Sequence, residues 1–334
     1  MCGRLASFNH HLPRGVRYLT DYQIIVVGSY ATGLTMRVDR LPSSGETLLG
    51  KGYRVDFGGK GSNQAVACAR LGSRVSFIAK IGLDNFGEMA LGLHREEKVD
   101  VGSVIQIPEK PTGVGFIIVD AKGNNCITID PAANDLLTAR EVSHCLETLT
   151  SRTVVLTQLE IPAEAAGTAM TRGHEKGAVT ILNPAPARIL PDSVLQFVDV
   201  LTPNQSEAKV LTGLGPDAAG EPETVAQELI SRGVKRVVMT LGEKGALAVT
   251  SNSSVYVPAI KVSAKDTTGA GDAFNGGLAV ALSRGANLED AVRFAVVTGG
   301  LAVTREGVVP SLPTRNEVLQ YYRQHGETPP PWLS

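Results

Sequence analysis

Short β-branched runs alternate with helical patterns over the second half of this chain, and this alternation constrains the fold more than any other feature. The runs occupy 153–160, 178–184, 198–204 and 237–242, and an earlier one spans 23–29. Alternating strands and helices with short connections indicate parallel strands in a doubly wound sheet. We therefore predict an α/β fold, with a mostly parallel sheet flanked by helices.

Two segments, at about 32–57 and 108–130, have a different pattern, in which polar and charged residues are interspersed among apolar ones. Such alternation is typical of strands with one face in water. The stretch from Asp120 to Asn125 has the composition of a hairpin turn. We predict that the two segments form one small β-sheet, a lid over the mouth of the core.

Three parts of the chain are expected. Residues 1–22 contain several arginines but no continuous apolar run, so we expect an irregular extension there and no secretory signal. Residues 23–326 contain the strand and helix patterns and are expected to form one domain that includes the lid. Residues 327–334 are rich in proline and hold the single tryptophan, and we expect them to form a loose tail.

Charge, hydropathy and cysteine spacing exclude several function classes. The net charge of -1 argues against a nucleic-acid partner that needs a basic face. No apolar run approaches the roughly 18 residues of a membrane span, so no membrane partner is expected. The four cysteines lie far apart without CxxC spacing, which argues against a zinc site or a disulfide framework and fits a reducing, cytoplasmic setting.

A glycine-rich turn leads into a long apolar helical pattern at Asp266-Thr267-Thr268-Gly269-Ala270-Gly271-Asp272. The first N–H groups of a helix lack partners within it and lie at the positive end of its dipole, so this turn predicts an anion site. Asp272 would lie beside the bound anion, where a carboxylate suits a base that takes a proton from an attacking hydroxyl. The alternative is a structural connection in which Asp272 only favours the start of the helix.

A second glycine turn, Gly58-Gly59-Lys60-Gly61-Ser62-Asn63, also precedes a helical pattern. Lys60 and Asn63 would face a polar ligand there. The spacing is not that of a phosphate-binding Walker loop, because no Lys-Ser or Lys-Thr pair follows the glycines. A purely structural helix start is an equal alternative.

Polar residues also collect where the predicted strands end, which is the ligand-binding edge of a doubly wound sheet. Glu160 lies at one such end and Gly242 at another. Asn204 and Glu207 have the spacing of a helix-capping box, and they could equally organise Mg²⁺ and its waters. The two glycines of the 240–246 turn would let the backbone lie against an adenine or a ribose.

Taken together, these motifs resemble the ribokinase-like (PfkB) carbohydrate kinases from residue 23 to about residue 322. Five motifs carry the resemblance: Gly58–Ala65, Asn183–Ala187, Thr202–Ala208, Thr240–Gly242 and Asp266–Asp272. Each is moderately specific alone, and five in this order are very specific.

The resemblance implies an ATP-dependent kinase that phosphorylates a primary hydroxyl of a small sugar, with ribose as the first candidate. It implies Mg²⁺ and a monovalent cation such as K⁺ as cofactors, and a homodimer formed through the lid. Asp272 would be the base, with the amides of Gly269, Ala270 and Gly271 as an anion hole. The implied sugar contacts are Gly59, Lys60, Asn63 and Glu160. The implied nucleotide contacts are Asn204, Glu207, Thr240, Gly242 and Gly245, and those near the monovalent cation are Asp266, Thr268 and Ser311.

One departure bears on the substrate. The family pattern places Asn and then Asp after the first strand, where they hold sugar hydroxyls, and this chain has Ala31 and Gly33. Losing a charge-assisted hydrogen bond costs about 1.5–3 kcal/mol, which is enough to change the order of substrates. Tyr30, Arg37 or Asp39 could supply replacement contacts. Alternatives to ribose are therefore 2-deoxyribose, fructose or an adenosine-type nucleoside, and a sensor that binds sugar or nucleotide without turnover.

Overall fold

The computed structural model describes residues 23–151 and 153–333. Its strands are Ile24–Val27 (β1), Ala31–Arg37 (β2), Tyr53–Gly58 (β3), Val75–Gly82 (β4), Val99–Ile107 (β5), Val114–Val119 (β6), Asn125–Asp130 (β7), Val154–Thr157 (β8), Val179–Leu182 (β9), Val200–Leu201 (β10), Arg236–Thr240 (β11), Gly245–Thr250 (β12) and Ser254–Pro258 (β13). Its α-helices are Lys60–Arg70 (α1), Asn85–Glu96 (α2), Ala139–Cys145 (α3), Ala163–Glu175 (α4), Asp192–Leu195 (α5), Gln205–Leu211 (α6), Pro222–Ser231 (α7), Ala270–Ser283 (α8), Leu288–Ala302 (α9), Val308–Ser311 (α10) and Arg315–Gln324 (α11).

Within residues 23–151 and 153–333, the main sheet has nine strands in the order β13-β12-β11-β10-β9-β8-β1-β4-β5. The seven strands from β11 to β5 in this order are all parallel, and β12 and β13 add an antiparallel edge. In β1 the side chains of Ile24 and Val26 enter one apolar cluster, and those of Ile25 and Val27 enter a second cluster on the opposite face. Because every residue of this strand is buried, its sequence is continuously apolar. The predicted doubly wound α/β fold is confirmed.

A second, four-stranded sheet has the order β3-β2-β6-β7. Strand β2 pairs with β3 in antiparallel and with β6 in parallel, and β6 pairs with β7 through the predicted hairpin. The two segments of alternating polarity therefore join in one small sheet, as predicted. Because α1 follows β3 directly, this sheet lies next to the start of that helix.

The C-terminal residues pack against the core, so the prediction of a loose tail is wrong for residues 327–333. The Leu333 side chain is fully buried, and the Trp332 ring meets that of Phe294 with centroids 4.9 Å apart. The Arg284 guanidinium donates to the Trp332 carbonyl over 3.0 Å. Burial of these two large apolar side chains offsets the entropy cost of ordering the segment. The predicted 1–22 extension lies outside the described residues.

In the part of the chain that the structure describes, no helix has the length and apolarity needed to cross a bilayer.

Candidate active site

The start of α8 forms one wall of the site. Gly269 caps this helix with φ 82°, a left-handed conformation, and a Cβ there would lie 2.8 Å from a methyl carbon of Val308. The glycine is therefore required both by its backbone conformation and by the close contact. Asp272 lies in the first helical turn, where the motif predicted it. The Ala270 N–H donates to the Thr267 carbonyl over 3.2 Å, so the prediction that all three preceding amides are free donors is wrong at Ala270.

Asp272 is buried, with 6% of its surface exposed, and two side-chain amides hold its carboxylate. Asn63 Nδ2 donates to Oδ2 over 2.8 Å, and Gln64 Nε2 donates to Oδ1 over 3.0 Å. Burial raises the pKa of Asp272, and the Lys60 charge and the two amides only partly oppose this. A fixed carboxylate whose pKa lies above its usual range is a suitable proton acceptor.

The start of α1 forms the opposite wall. Gly59 precedes the helix with φ 85°, and a Cβ there would lie 2.7 Å from the Tyr30 Cα. Glu160, just beyond β8, accepts hydrogen bonds at Oε2 from the Lys60 N–H (2.8 Å) and from the Ser29 hydroxyl (2.6 Å). These bonds fix the helix start against two strand ends of the main sheet. The predicted sugar contacts thus lie together.

Lys60 and Asn63 keep polar atoms available in this region. Burial lowers the pKa of Lys60, but the carboxylates of Asp272, Glu160 and Glu207 raise it more, so the net shift is upward and the side chain is a cation. The Asn63 Oδ1 atom is buried and has no hydrogen-bond partner. A buried acceptor without a donor costs about 1–3 kcal/mol. A ligand hydroxyl that donates to Oδ1 would remove this cost.

A network of side-chain amides, which no sequence motif indicates, lies behind Asp272. Gln158 Nε2 donates to Gln64 Oε1 over 2.6 Å, and Gln64 Nε2 also reaches Asn183 Oδ1 at 3.1 Å. The Asn183 amide in turn donates to the Thr202 carbonyl over 3.0 Å. Gln64 and Asn183 belong to motifs that the sequence singled out, yet their mutual contact comes only from the strand order.

A cavity of about 810 Å³ adjoins the start of α8, a size suited to a nucleotide-sized ligand. It brings predicted nucleotide contacts together with part of the predicted anion loop: Asn204, Thr240, Gly242, Gly245, Ala270 and Gly271. Its apolar lining, which the sequence did not predict, includes Ile260, Val262, Phe274, Val296 and Val303. Apolar walls beside a glycine-rich anion site suit a base attached to phosphates.

Comparison with known proteins agrees with this geometry. The sequence matches the pfkB family carbohydrate kinases over residues 22–315. It is 36% identical over 300 residues to a ribokinase of Haemophilus influenzae, covering 89% of this chain and 97% of that protein. It is 34% identical over 299 residues to a deoxyribokinase of Salmonella typhi, covering 89% and 98% of the two chains. The structure of Arabidopsis thaliana ribokinase complexed with ribose and ATP superposes with TM-score 0.81 at 29% identity, covering 90% of this chain and 98% of that one.

The chain belongs to the pfkB family of carbohydrate kinases. It is therefore a phosphotransferase that acts on a sugar hydroxyl. This kinase has the ribokinase fold, with a small second sheet whose strand β3 leads directly into α1.

In this kinase Asn204 and Glu207 form the predicted capping box. The Asn204 Oδ1 atom accepts from the Glu207 N–H and the Glu207 Oε2 atom accepts from the Asn204 N–H, each over 2.8 Å. Burial raises the pKa of Glu207, although the Lys60 charge lowers it. The structural interpretation of this motif is confirmed, and Oε1 of Glu207 remains without a hydrogen bond to the described residues.

The three residues predicted near a monovalent cation are tied to two adjacent loops. Asp266 Oδ1 accepts from the Thr268 N–H (2.9 Å) and hydroxyl (2.6 Å), and its Oδ2 accepts from the Gly307 N–H over 3.0 Å. Ser311 is buried on α10, and its hydroxyl donates to the Val308 carbonyl over 2.8 Å. These side chains therefore hold the two loops in place.

The replacements considered for the missing sugar contacts do not fill that role. Tyr30 is fully buried, and its hydroxyl lies 3.2 Å from that of Thr32. Asp39 forms an exposed ion pair with Lys51 at 2.7 Å. Arg37 lies at the exposed end of β2.

Proposed function

We propose that this kinase transfers the γ-phosphoryl group of ATP to a primary hydroxyl of ribose or of a closely related small sugar. The relatives with the highest similarity named above are a ribokinase and a deoxyribokinase, which supports both ribose and 2-deoxyribose as candidates. The 2-deoxyribose alternative gains support from Ala31 and Gly33, which offer no polar side chain on β2.

The observation that carries the proposal is the position of Asp272 between two features. On one side Asn63 has a buried, unpartnered Oδ1 that suits a sugar hydroxyl. On the other side the nucleotide-sized cavity includes Gly271, whose N–H lies in the first turn of α8. A hydroxyl held beside Asp272 faces the end of that cavity, as in-line transfer requires.

The chemical step follows from this arrangement. The Asp272 carboxylate accepts the proton of the sugar hydroxyl, and the oxygen forms a bond to the γ-phosphorus as the bond from that phosphorus to the bridging oxygen of ADP breaks. The N-terminal amides of α8 other than that of Ala270 stabilise the developing negative charge on the phosphoryl oxygens. Lys60 adds a positive charge close to Asp272 and limits the rise of its pKa.

Mg²⁺ and a monovalent cation such as K⁺ are part of this proposal. Among the described residues no group of three or more His, Cys, Asp or Glu side chains could hold a metal ion by itself. This fits Mg²⁺, which keeps several waters and binds mainly through substrate phosphates, where it neutralises charge. Glu207, with Oε1 open, would orient those waters, and the loops of Asp266 and Ser311 would offer carbonyls to the monovalent cation.

A cytoplasmic homodimer formed through the small sheet completes the proposal. Four large apolar side chains on that sheet are more than half exposed: Tyr53, Phe116, Ile127 and Ile129. The strand register places Tyr53 and Phe116 on one face of the sheet and Ile127 and Ile129 on the other. Exposed apolar side chains of this kind favour a protein partner. Sedimentation of the purified protein tests this part: a monomer at micromolar concentration would contradict it.

The experiment that tests the function measures ADP release with ATP, Mg²⁺ and K⁺ over a panel of ribose, 2-deoxyribose, fructose and adenosine. The proposal predicts the highest kcat/KM for ribose or 2-deoxyribose. Preference for adenosine would replace it with a nucleoside kinase. Sugar binding detected by calorimetry without any ADP release would indicate a sensor.

A further inference from the structure

On the face of the small sheet that carries residue 33, glycines and an alanine leave a hollow between the taller side chains. Ala31 pairs with Gly58, and Gly33 lies between Asp56 on one side and Gly115 on the other. A Cβ built on Gly33 would lie 3.5 Å from the Asp56 Cβ and 3.5 Å from Cδ1 of Ile117. The lid hollow, as we name it, consists of Ala31, Gly33, Gly58 and Gly115, and Asp56 and Ile117 form its rim.

The lid hollow lies at the sugar end of the cleft. Gly58 is two residues before Lys60, whose N–H is bound by Glu160. Arg54, two residues before Asp56 and on the same face of β3, donates from Nε to Asp56 Oδ2 over 2.6 Å. Burial raises the pKa of Asp266, but the hydrogen bonds from Thr268 and Gly307 together with the charge of Arg54 bring it below its usual value. This face of β3 is therefore directed toward the loop that carries the catalytic residues.

Asp56 has an open hydrogen-bond acceptor at this position. Its Oδ2 accepts from Arg54 Nε and, over 3.3 Å, from the Thr35 hydroxyl. Its Oδ1 has no hydrogen bond to the described residues, and the side chain is 26% exposed. The pairing with Arg54 fixes the carboxylate and balances its charge, so the hollow favours a neutral polyhydroxy ligand over a phosphorylated one.

We propose that Asp56 is the specificity-determining residue of the lid, where its Oδ1 accepts a hydrogen bond from a sugar hydroxyl other than the one that is phosphorylated. Asp56 is directly opposite Gly33 in the antiparallel pair, and its Cβ is 3.5 Å from where a Cβ on Gly33 would lie, so the carboxylate reaches the space above Gly33 from the neighbouring strand. The ligand class is a neutral sugar whose hydroxyl lies over the lid hollow. This inference rests on the proposed function and adds the group that selects among sugars.

The first test compares Asp56→Ala and Asp56→Asn with Asp39→Ala, a matched control that removes another lid carboxylate paired with a basic residue. For the best sugar, Asp56→Ala is expected to raise KM by about 10- to 100-fold, with kcat and the KM for ATP nearly unchanged. Asp39→Ala should change none of these constants. An effect of Asp56→Ala on the sugar KM below twofold would overturn the inference.

The second test separates recognition of a hydroxyl from a structural effect. Deoxy analogues of the best sugar are assayed with the wild type and with Asp56→Ala. For the analogue that lacks the recognised hydroxyl, the two proteins should have equal kcat/KM. An equal loss for the parent sugar and every analogue would overturn the inference.

The third test moves the carboxylate from position 56 on β3 to position 33 on β2, where the family pattern has an Asp. Adding Gly33→Asp to Asp56→Ala should restore most of the sugar KM, because a Cβ at position 33 makes only ordinary contacts. A double variant no better than Asp56→Ala would contradict the geometry on which the inference depends. If the wild-type protein phosphorylates no sugar, both the proposed function and this inference are refuted. If the wild type is active and Asp56→Ala leaves the sugar KM unchanged, only this inference is refuted.

Discussion

Replacing Gln64 with methionine should separate the fold of this kinase from its catalysis. Gln64 is fully buried and is the side chain that joins Gln158, Asn183 and Asp272. Gln64→Met keeps a similar length but removes the amide. Two buried groups, the Gln158 amide and the Asn183 oxygen, then lose a partner, and Asp272 loses one of its two side-chain donors.

The magnitude follows from these three losses. Each of the two orphaned buried groups costs about 1–3 kcal/mol, and the lost bond to a charged acceptor costs about 1.5–3 kcal/mol, so we expect the free energy of unfolding to fall by about 3.5–9 kcal/mol. Loss of the donor also lets the Asp272 carboxylate move. A displacement of about 1 Å can reduce the rate about 100-fold, so kcat should fall by about 10- to 100-fold.

The assay pairs urea unfolding with ADP release under saturating sugar and ATP. Thr180→Val on β9, the strand that ends just before Asn183, is the matched control. It removes a hydroxyl that donates to the Phe197 carbonyl over 2.6 Å and accepts from the Asp199 N–H over 2.9 Å, at the end of the strand away from Asn183. It should lower stability and leave kcat unchanged. The reasoning would be refuted if folded Gln64→Met protein retained the wild-type kcat.

Three further predictions follow from the structure. Burial raises the pKa of Asp272 above its usual 3.8, and catalysis requires the ionised carboxylate. As the pH decreases, kcat should therefore fall with an apparent pKa above 3.8. An apparent pKa of 3.8 or below would contradict the role of Asp272 as the base. Gly271→Ala places a methyl group in open space of the nucleotide cavity, so it should raise KM for ATP while changing the free energy of unfolding by no more than about 1 kcal/mol. The control is Gly92→Ala on α2, where the space is equally open. An unchanged KM for ATP in Gly271→Ala would argue against phosphate binding at this turn. Leu333→Ala should destabilise the protein by about 2–5 kcal/mol in urea unfolding, and an unchanged midpoint would show that the C-terminal segment does not stabilise the fold.

Local sequence patterns were sufficient to predict the fold and the two helix starts that form the walls of the cleft. The continuous apolar run of β1 and the regular alternation after residue 153 predicted a doubly wound sheet because burial on both faces leaves that pattern in the sequence. The glycine turns before α1 and α8 predicted where these two helices begin, since the positive φ angles of Gly59 and Gly269 favour glycine at these positions.

Features that depend on contacts distant in the chain were not predictable in this way. The bond between Gln64 and Asn183 joins residues 119 positions apart, and the opposition of Gly33 and Asp56 depends on strand register. The burial of Leu333 in the core likewise requires the packing of α9 and α11, which no local pattern of the tail shows. The use of the Ala270 N–H within its own turn is a detail of backbone geometry that glycine content alone does not determine.

The claim on which the account depends is that Asp272 accepts the proton of the sugar hydroxyl. The most direct measurement is the single-turnover rate of Asp272→Asn with saturating sugar and ATP, together with its sugar affinity by calorimetry. Base catalysis by Asp272 predicts a rate at least about 100-fold below the wild type, with sugar affinity changed far less. A folded Asp272→Asn protein that transfers phosphate at a rate within tenfold of the wild type would contradict it.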